Sequence, residues 1–152
     1  MNQSRSLTQT GQVAAPYRAE QAVNVGVGVV DMPIRYWRTD CFYALFSADL
    51  DAVRQLLPSK RLHPVRLTST KAVVAVAAFN YLETSVGPYG EIAVSPLCTL
   101  DHAAPPVVPL ASAYLRGAST FVAHLPVTSQ IAREAGRKIW GYPKFVADMD
   151  FD

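Results

Sequence analysis

The chain has 152 residues, half of them hydrophobic, which is enough for one domain with a core of its own. A formal charge of +2, from basic residues scattered along the sequence, gives no footprint for a nucleic acid. No apolar run reaches the roughly 18 residues of a membrane helix and no h-region marks a secretory signal, so no membrane partner is expected and the cytoplasm is the default compartment.

Met1 to Ala22 is polar with little apolar periodicity and reads as a flexible N-terminal arm ahead of a single domain over 23–152. Val23 to Val30 alternates branched apolar residues with Asn and Gly, the pattern of a short strand. Two arginines and two aromatics then interleave in Met32-Pro33-Ile34-Arg35-Tyr36-Trp37-Arg38. This is either a loop that packs its rings and leaves its charges wet, or an anion-recognition segment, since guanidinium groups grip carboxylates in a fork. Cys41 to Phe46 has the length and composition of a buried strand. Ser47 is placed to cap a helix whose first turn holds Asp49 and Asp51, whose apolar face is Leu50, Val53, Leu56 and Leu57, and which Pro58 ends. Cys41 and Cys98 lack a CxxC partner or a histidine at ligand spacing, so they read as small core residues, not a disulfide or metal site. His63, beside Pro64, reads as a surface loop residue.

Lys71 to Leu82 is a long strand pattern; Gly87-Pro88 turns the chain within Thr84 to Gly90, and Glu91 to Val94 returns it, making a hairpin. Leu97 to Pro109 is proline-rich and reads as irregular, with Asp101 and His102 pointing to opposite sides. Ala118 to Leu125 reads as a strand carrying His124 as a core residue. Thr128 or Ser129 can cap a short helix through Ile131, Ala132 and Ala135, with Gly136 as its left-handed stop. Strands dominate without regular βαβ alternation, so the expected class is α+β: a β-rich, mostly antiparallel curved or closed sheet with a few short helices.

The C-terminal run Gly136-Arg137-Lys138-Ile139-Trp140-Gly141-Tyr142-Pro143-Lys144-Phe145-Val146-Ala147 carries the most chemistry. Pro143 fixes its own φ and biases Tyr142 toward an extended conformation, so Gly-Tyr-Pro-Lys reads as a turn into a strand in which Phe145, Val146 and Ala147 are buried. A lysine entering an apolar strand from a rigid turn is either a snorkelling surface residue or a desolvated amine held for chemistry. A free amine titrates near ~10.4 and is almost wholly protonated at neutral pH. Burial or a neighbouring cation disfavours the ammonium and frees the nucleophile.

The Gly136-Arg137 pair, with Tyr142-Pro143-Lys144 at fixed spacing and a tail reaching Ala147, resembles the signature of the acetoacetate decarboxylase family, approximately G-R-E-x-x-G-[FY]-P-K-K-x-A. The resemblance implies a conical barrel fold, Lys144 as the amine that forms a Schiff base with an oxo acid, and no metal or organic cofactor. Activation of such a lysine by its surroundings is the established mode of acetoacetate decarboxylase. Gly87-Pro88-Tyr89-Gly90-Glu91 resembles the family's hairpin segment, which implies Glu91 as a catalytic carboxylate and Tyr89 as a substrate contact. Cys41 to Pro58 is similar to the family's early strand and helix, preceded there by an active-site arginine. Arg38 is the nearest match, although a gapless alignment puts Thr39 at that position.

Three departures stand beside the likeness. Phe145 replaces the second lysine and becomes a substrate-facing residue that can desolvate an amine but not repel its charge. Lys138 replaces the Glu of G-R-E and can stand in for the missing cation only if it folds toward Lys144. The sequence stops at Asp152, whereas family members continue: either this is a truncated member or another subunit supplies the missing edge, and because an open sheet invites association a homo-oligomer is expected. The implied activity is a Schiff-base lyase on a small β-keto or oxo acid. The alternatives are aldolase or dehydratase chemistry on a small oxo acid with the same lysine, or a non-catalytic small-carboxylate-binding or fragmentary member of the fold.

Overall fold

A long hairpin is the spine of the protein in the computed structural model, which describes residues 19–103 and 117–151. Its arms are β5 (Lys71–Thr84) and β6 (Tyr89–Leu100), in register from Val74 opposite Pro96 to Tyr81 opposite Tyr89. Thr84 ties the turn between them: its hydroxyl donates to the Gly87 carbonyl at 2.6 Å and accepts the Val86 amide at 3.1 Å. Gly87 takes the positive φ of 86° that this turn requires.

Strand β3 (Tyr36–Asp49) runs antiparallel along the outer side of β5, with a register shift around Arg38. On the other side of β6 lie β4 (Leu62–Pro64), β7 (Ser119–Thr120) and β8 (Leu125–Val127), and β9 (Lys144–Val146) adds to β8 in parallel. The main path β3-β5-β6-β8-β9 is open: among the described residues β3 and β9 do not meet. A separate hairpin, β1 (Gln21–Asn24) with β2 (Val29–Met32), precedes it, and a cis bond joins Met32 to Pro33.

Two short helices among the described residues complete the α+β class. Helix α1 (Leu50–Leu56) buries Leu50 and Val53 against Ala72 and Val74 of β5. Helix α2 (Gln130–Trp140) inserts Ala135 against Val25 and Val30 of the first hairpin, while Ala132 packs with Tyr89 and Val127 of the large sheet. Its small residues allow that close approach on both sides, and the chain leaving α2 is delivered beside β8.

Several local expectations change. Asp49, not Ser47, caps α1, because β3 continues through Asp49 and the Asp49 carboxylate accepts the amides of Asp51 and Ala52. The Cys41–Phe46 run is a strand but an exposed one: Phe42, Tyr43, Leu45 and Phe46 are each more than half exposed, because β3 is an edge strand. Cys98 is buried as expected whereas Cys41 is exposed. His63 lies in β4, paired with Thr99, so Leu97–Leu100 is strand rather than loop. His124 is exposed, and its backbone bridges to Val94. The largest shift concerns Gly136, which lies inside α2. Gly141 makes the left-handed stop at φ 70°, with the Gly141 and Tyr142 amides returning to the carbonyls of Arg137 and Gly136. Phe145 and Val146 are 44% and 46% exposed, again because β9 is an edge strand. Met1–Arg18 of the expected arm and the prolines Pro105, Pro106 and Pro109 lie outside the described residues.

Candidate active site

Period-two alternation along β5 and β6 puts Tyr81, Tyr89, Glu91 and Ala93 on one face of the hairpin, and all four line a cavity of about 450 Å³. Tyr36 joins them from β3, beside the register shift that re-aims that end of the strand. Ring centroids are 4.8 Å apart for Tyr36 and Tyr81 and 4.6 Å for Tyr81 and Tyr89, and the Tyr36 and Tyr89 hydroxyls share a hydrogen bond at 3.1 Å. Burial pushes all three phenols above the usual tyrosine range, with the Glu91 charge adding to the shift. They are therefore neutral donors at physiological pH. Gly90 points to the opposite face, where the Phe151 ring lies so close that any Cβ would overlap it.

Lys144 arrives from the other side, and three contacts fix it. Its carbonyl accepts a hydrogen bond from Arg137 at 3.1 Å. Its stem crosses α2 at Gly136, where an added Cβ would stand 2.7 Å from Cε and closer still to Cδ. Its head meets Glu91, with Nζ 2.6 Å from Oε2. The paired side chains are only 9% and 11% exposed, and no well-aligned hydrogen bond serves Oε2 beyond that ionic contact. Nζ also stands 5.6 Å from the Tyr89 ring centroid. Two charges withdrawn from water this far are costly to keep, even when paired.

Among the described lining residues, Lys144 and Glu91 carry the only charges; the remaining wall is aromatic or aliphatic, including Met32, Pro33, Ile34, Trp140 and Tyr142. A buried lysine touching a carboxylate in such a cavity sets an amine, masked as an ammonium by the ion pair, beside a group that can accept its proton.

Of the residues singled out from sequence, Lys144, Glu91 and Tyr89 converge here. Arg38 is exposed on β3 and is not among the cavity-lining residues. Phe145 follows Lys144 in an extended strand, so its side chain leaves by the other face and does not line the cavity. Lys138 turns away, donating to the Asn24 carbonyl at 2.6 Å, and does not supply a second cation beside Lys144. Tyr36, Tyr81, Trp140 and Tyr142 were missed. The period-two spacing of Phe79 with Tyr81 and of Tyr89 with Glu91 was a usable signal for the β5–β6 hairpin; nothing local to Tyr36 indicated its neighbours. The role of Gly136 was also hidden, since glycine near a predicted helix end reads first as a stop.

The open β-rich sheet with its two short helices among the described residues has the acetoacetate decarboxylase-like fold, which solved structures share. One, from structural studies of acetoacetate decarboxylase, is 17% identical with a TM-score of 0.58, covering 75% of this chain and 39% of that one. The acetoacetate decarboxylase of Legionella pneumophila subsp. pneumophila str. Philadelphia 1 is 16% identical with a TM-score of 0.59, covering 97% and 50%. This chain thus spans half or less of their length. The chain belongs to the acetoacetate decarboxylase family, whose model, Acetoacetate decarboxylase (ADC), matches residues 14–152. No curated protein matches it.

Proposed function

We propose that the protein is a Schiff-base-forming lyase acting on a β-keto or other oxo acid, with Lys144 as nucleophile. The observation that carries this reading is the 2.6 Å approach of Lys144 Nζ to Glu91 Oε2 inside an otherwise uncharged cavity. In the proposed sequence, Glu91 takes the ammonium proton and the amine adds to the ketone carbon. Loss of water then gives a protonated imine. The bond to the carboxylate carbon breaks, its electron pair moves toward the imine nitrogen, and carbon dioxide leaves an enamine. Protonation at carbon and hydrolysis return the amine and release the ketone. The neutral phenols of Tyr36 and Tyr89 can donate to the carboxylate or to the adding oxygen without bringing charge.

One observation favours a second outcome for the same imine. No cation other than Lys144 is found among the described residues lining the cavity, whereas the family pattern has a second lysine where this chain has Phe145. Enamine formation by proton loss, leading to aldol or dehydration chemistry, needs no such cation. Carbon dioxide release separates the two.

Borohydride trapping tests the reading, using acetoacetate and, separately, pyruvate, followed by peptide mass mapping. A reduced adduct on Lys144 that disappears in Lys144→Ala is the expected result. Absence of an adduct with either ketone from folded protein would refute it and leave a non-catalytic carboxylate-binding member.

A further inference from the structure

Resting on that lysine reading, we propose that the oxo acid taken by this site carries an aryl or other broad planar substituent, which stacks on Trp140 and Tyr142 while its carbonyl carbon reaches Lys144. Trp140 and Tyr142 both line the cavity, yet they remain 48% and 43% exposed. Their ring centroids are 6.5 Å apart with planes inclined by 30°. Large aromatics that a fold needs for its core are normally covered; here two adjacent ones form part of the wall of the lysine's cavity and stay half open. A flat substituent is the ligand chemistry that covers such surfaces, through apolar burial and offset stacking.

The platform is also rigid. Gly141 between the two residues is fixed in the left-handed conformation, Pro143 restricts Tyr142 from the other side, and the Tyr142 amide is held by the Gly136 carbonyl at 3.1 Å. Little ordering is then required when a ring docks. Cavity size agrees: about 450 Å³ falls within the roughly 300–1,000 Å³ of sites for drug-sized ligands, well above the needs of a four-carbon acid. So does the polar inventory. With Lys144 engaged in the imine and Glu91 handling protons, no cation among the described lining residues is left to grip a small carboxylate, so beyond the phenol hydroxyls the surface that remains for binding is apolar and aromatic.

The test compares borohydride trapping at Lys144 with acetoacetate and with 3-oxo-5-phenylpentanoate, whose ring hangs from the carbonyl by two methylenes. The aryl acid should reach half-maximal trapping at about tenfold lower concentration, the ratio expected from one or two stacked contacts. Trp140→Ala, at a half-exposed position, should bring the two concentrations together. Equal concentrations in the unmodified chain, or a preference that survives Trp140→Ala, would overturn the proposal while leaving the Schiff base standing. Should neither ketone be trapped, the lysine reading fails, and tryptophan fluorescence then decides the platform alone. Quenching by 3-phenylpropionate but not by butyrate, lost in Trp140→Ala where Trp37 still reports, upholds the planar subsite. No difference between the two acids overturns it as well.

Discussion

Gly136→Ala separates the seating of the lysine from the stability of the fold. The added methyl would stand 2.7 Å from Lys144 Cε, and nearer to Cδ, where ordinary contact begins at 3.4 Å. The stem must therefore retreat by roughly an ångström, which takes Nζ out of its 2.6 Å contact with Glu91. Misplacement on that scale costs on the order of 100-fold in rate when geometry is what the site supplies. Stability responds differently. Alanine in a helix interior gains about 1 kcal/mol over glycine, whereas overpacking costs about 1–3 kcal/mol when the neighbour cannot move. A lysine stem can move, so the net change should lie within about 1 kcal/mol, a shift of roughly 2–4 °C in Tm. The assay is the rate of borohydride trapping on Lys144 with acetoacetate, beside a thermal melt of the same preparation. Trapping at the unmodified rate from folded protein would refute the claim that Gly136 seats Lys144. Loss of the cooperative melt would show that the glycine serves helix packing instead.

The ion pair should behave as a liability to stability: Glu91→Leu or Lys144→Met alone should cost about 3–5 kcal/mol in urea unfolding, and the double variant should recover most of it. Additive losses would contradict that. Tyr36, Tyr81 and Tyr89 have raised folded-state pKa values, so the stability they contribute is present below the ordinary tyrosine value near ~10 and is lost as pH rises above it. In an alkaline titration the tyrosinate absorbance of Tyr81 and Tyr89 should appear only with loss of the far-ultraviolet circular dichroism signal; ionisation of all seven tyrosines before unfolding would be the contrary result. Leu50→Ala, in the cluster beneath α1, should cost about 2–5 kcal/mol while leaving trapping at Lys144 intact, since that cluster shares no residue with the cavity.

What could be read from the sequence was governed by periodicity and by rigid punctuation. The β5–β6 hairpin was legible because an apolar run reaches Leu82, Gly87-Pro88 turns the chain, and apolar residues resume at Ile92, and because both arms have a neighbour on each side in the sheet. Edge strands misled for a complementary reason. Phe42, Tyr43, Leu45 and Phe46 have the composition of a buried strand, but composition cannot tell which strand has a neighbour on only one side, and β3 does not gain a second one among the described residues. The same holds for Phe145 and Val146 on β9. Gly136 reads as the helix stop because glycine commonly ends a helix, yet Arg137 and Lys138 carry the helix on, and it is Gly141, followed by Tyr142-Pro143, that ends it. What decides is the close passage of Lys144 over Gly136, a contact that no local pattern encodes.

The spacing of the Gly-Arg and Tyr-Pro-Lys segments then acquires a physical meaning. One helical turn separates Gly136 from Trp140, so the left-handed stop at Gly141 and the rigid Pro143 fold Lys144 back over the glycine that leaves room for its stem. Arg137, next along the helix, is consequently positioned to hold the Lys144 carbonyl. Changing the number of residues between the glycine and the lysine would rotate one support away from the other by about 100° per residue, because the helix has 3.6 residues per turn. A stabilising contact between exposed charges would tolerate such slippage, since long side chains adjust at little cost. A buried ammonium facing a buried carboxylate does not, because any position other than the paired one leaves both charges without water and without each other. The supports that converge on Lys144 are thus best understood as the means by which the fold keeps an otherwise unfavourable amine in place.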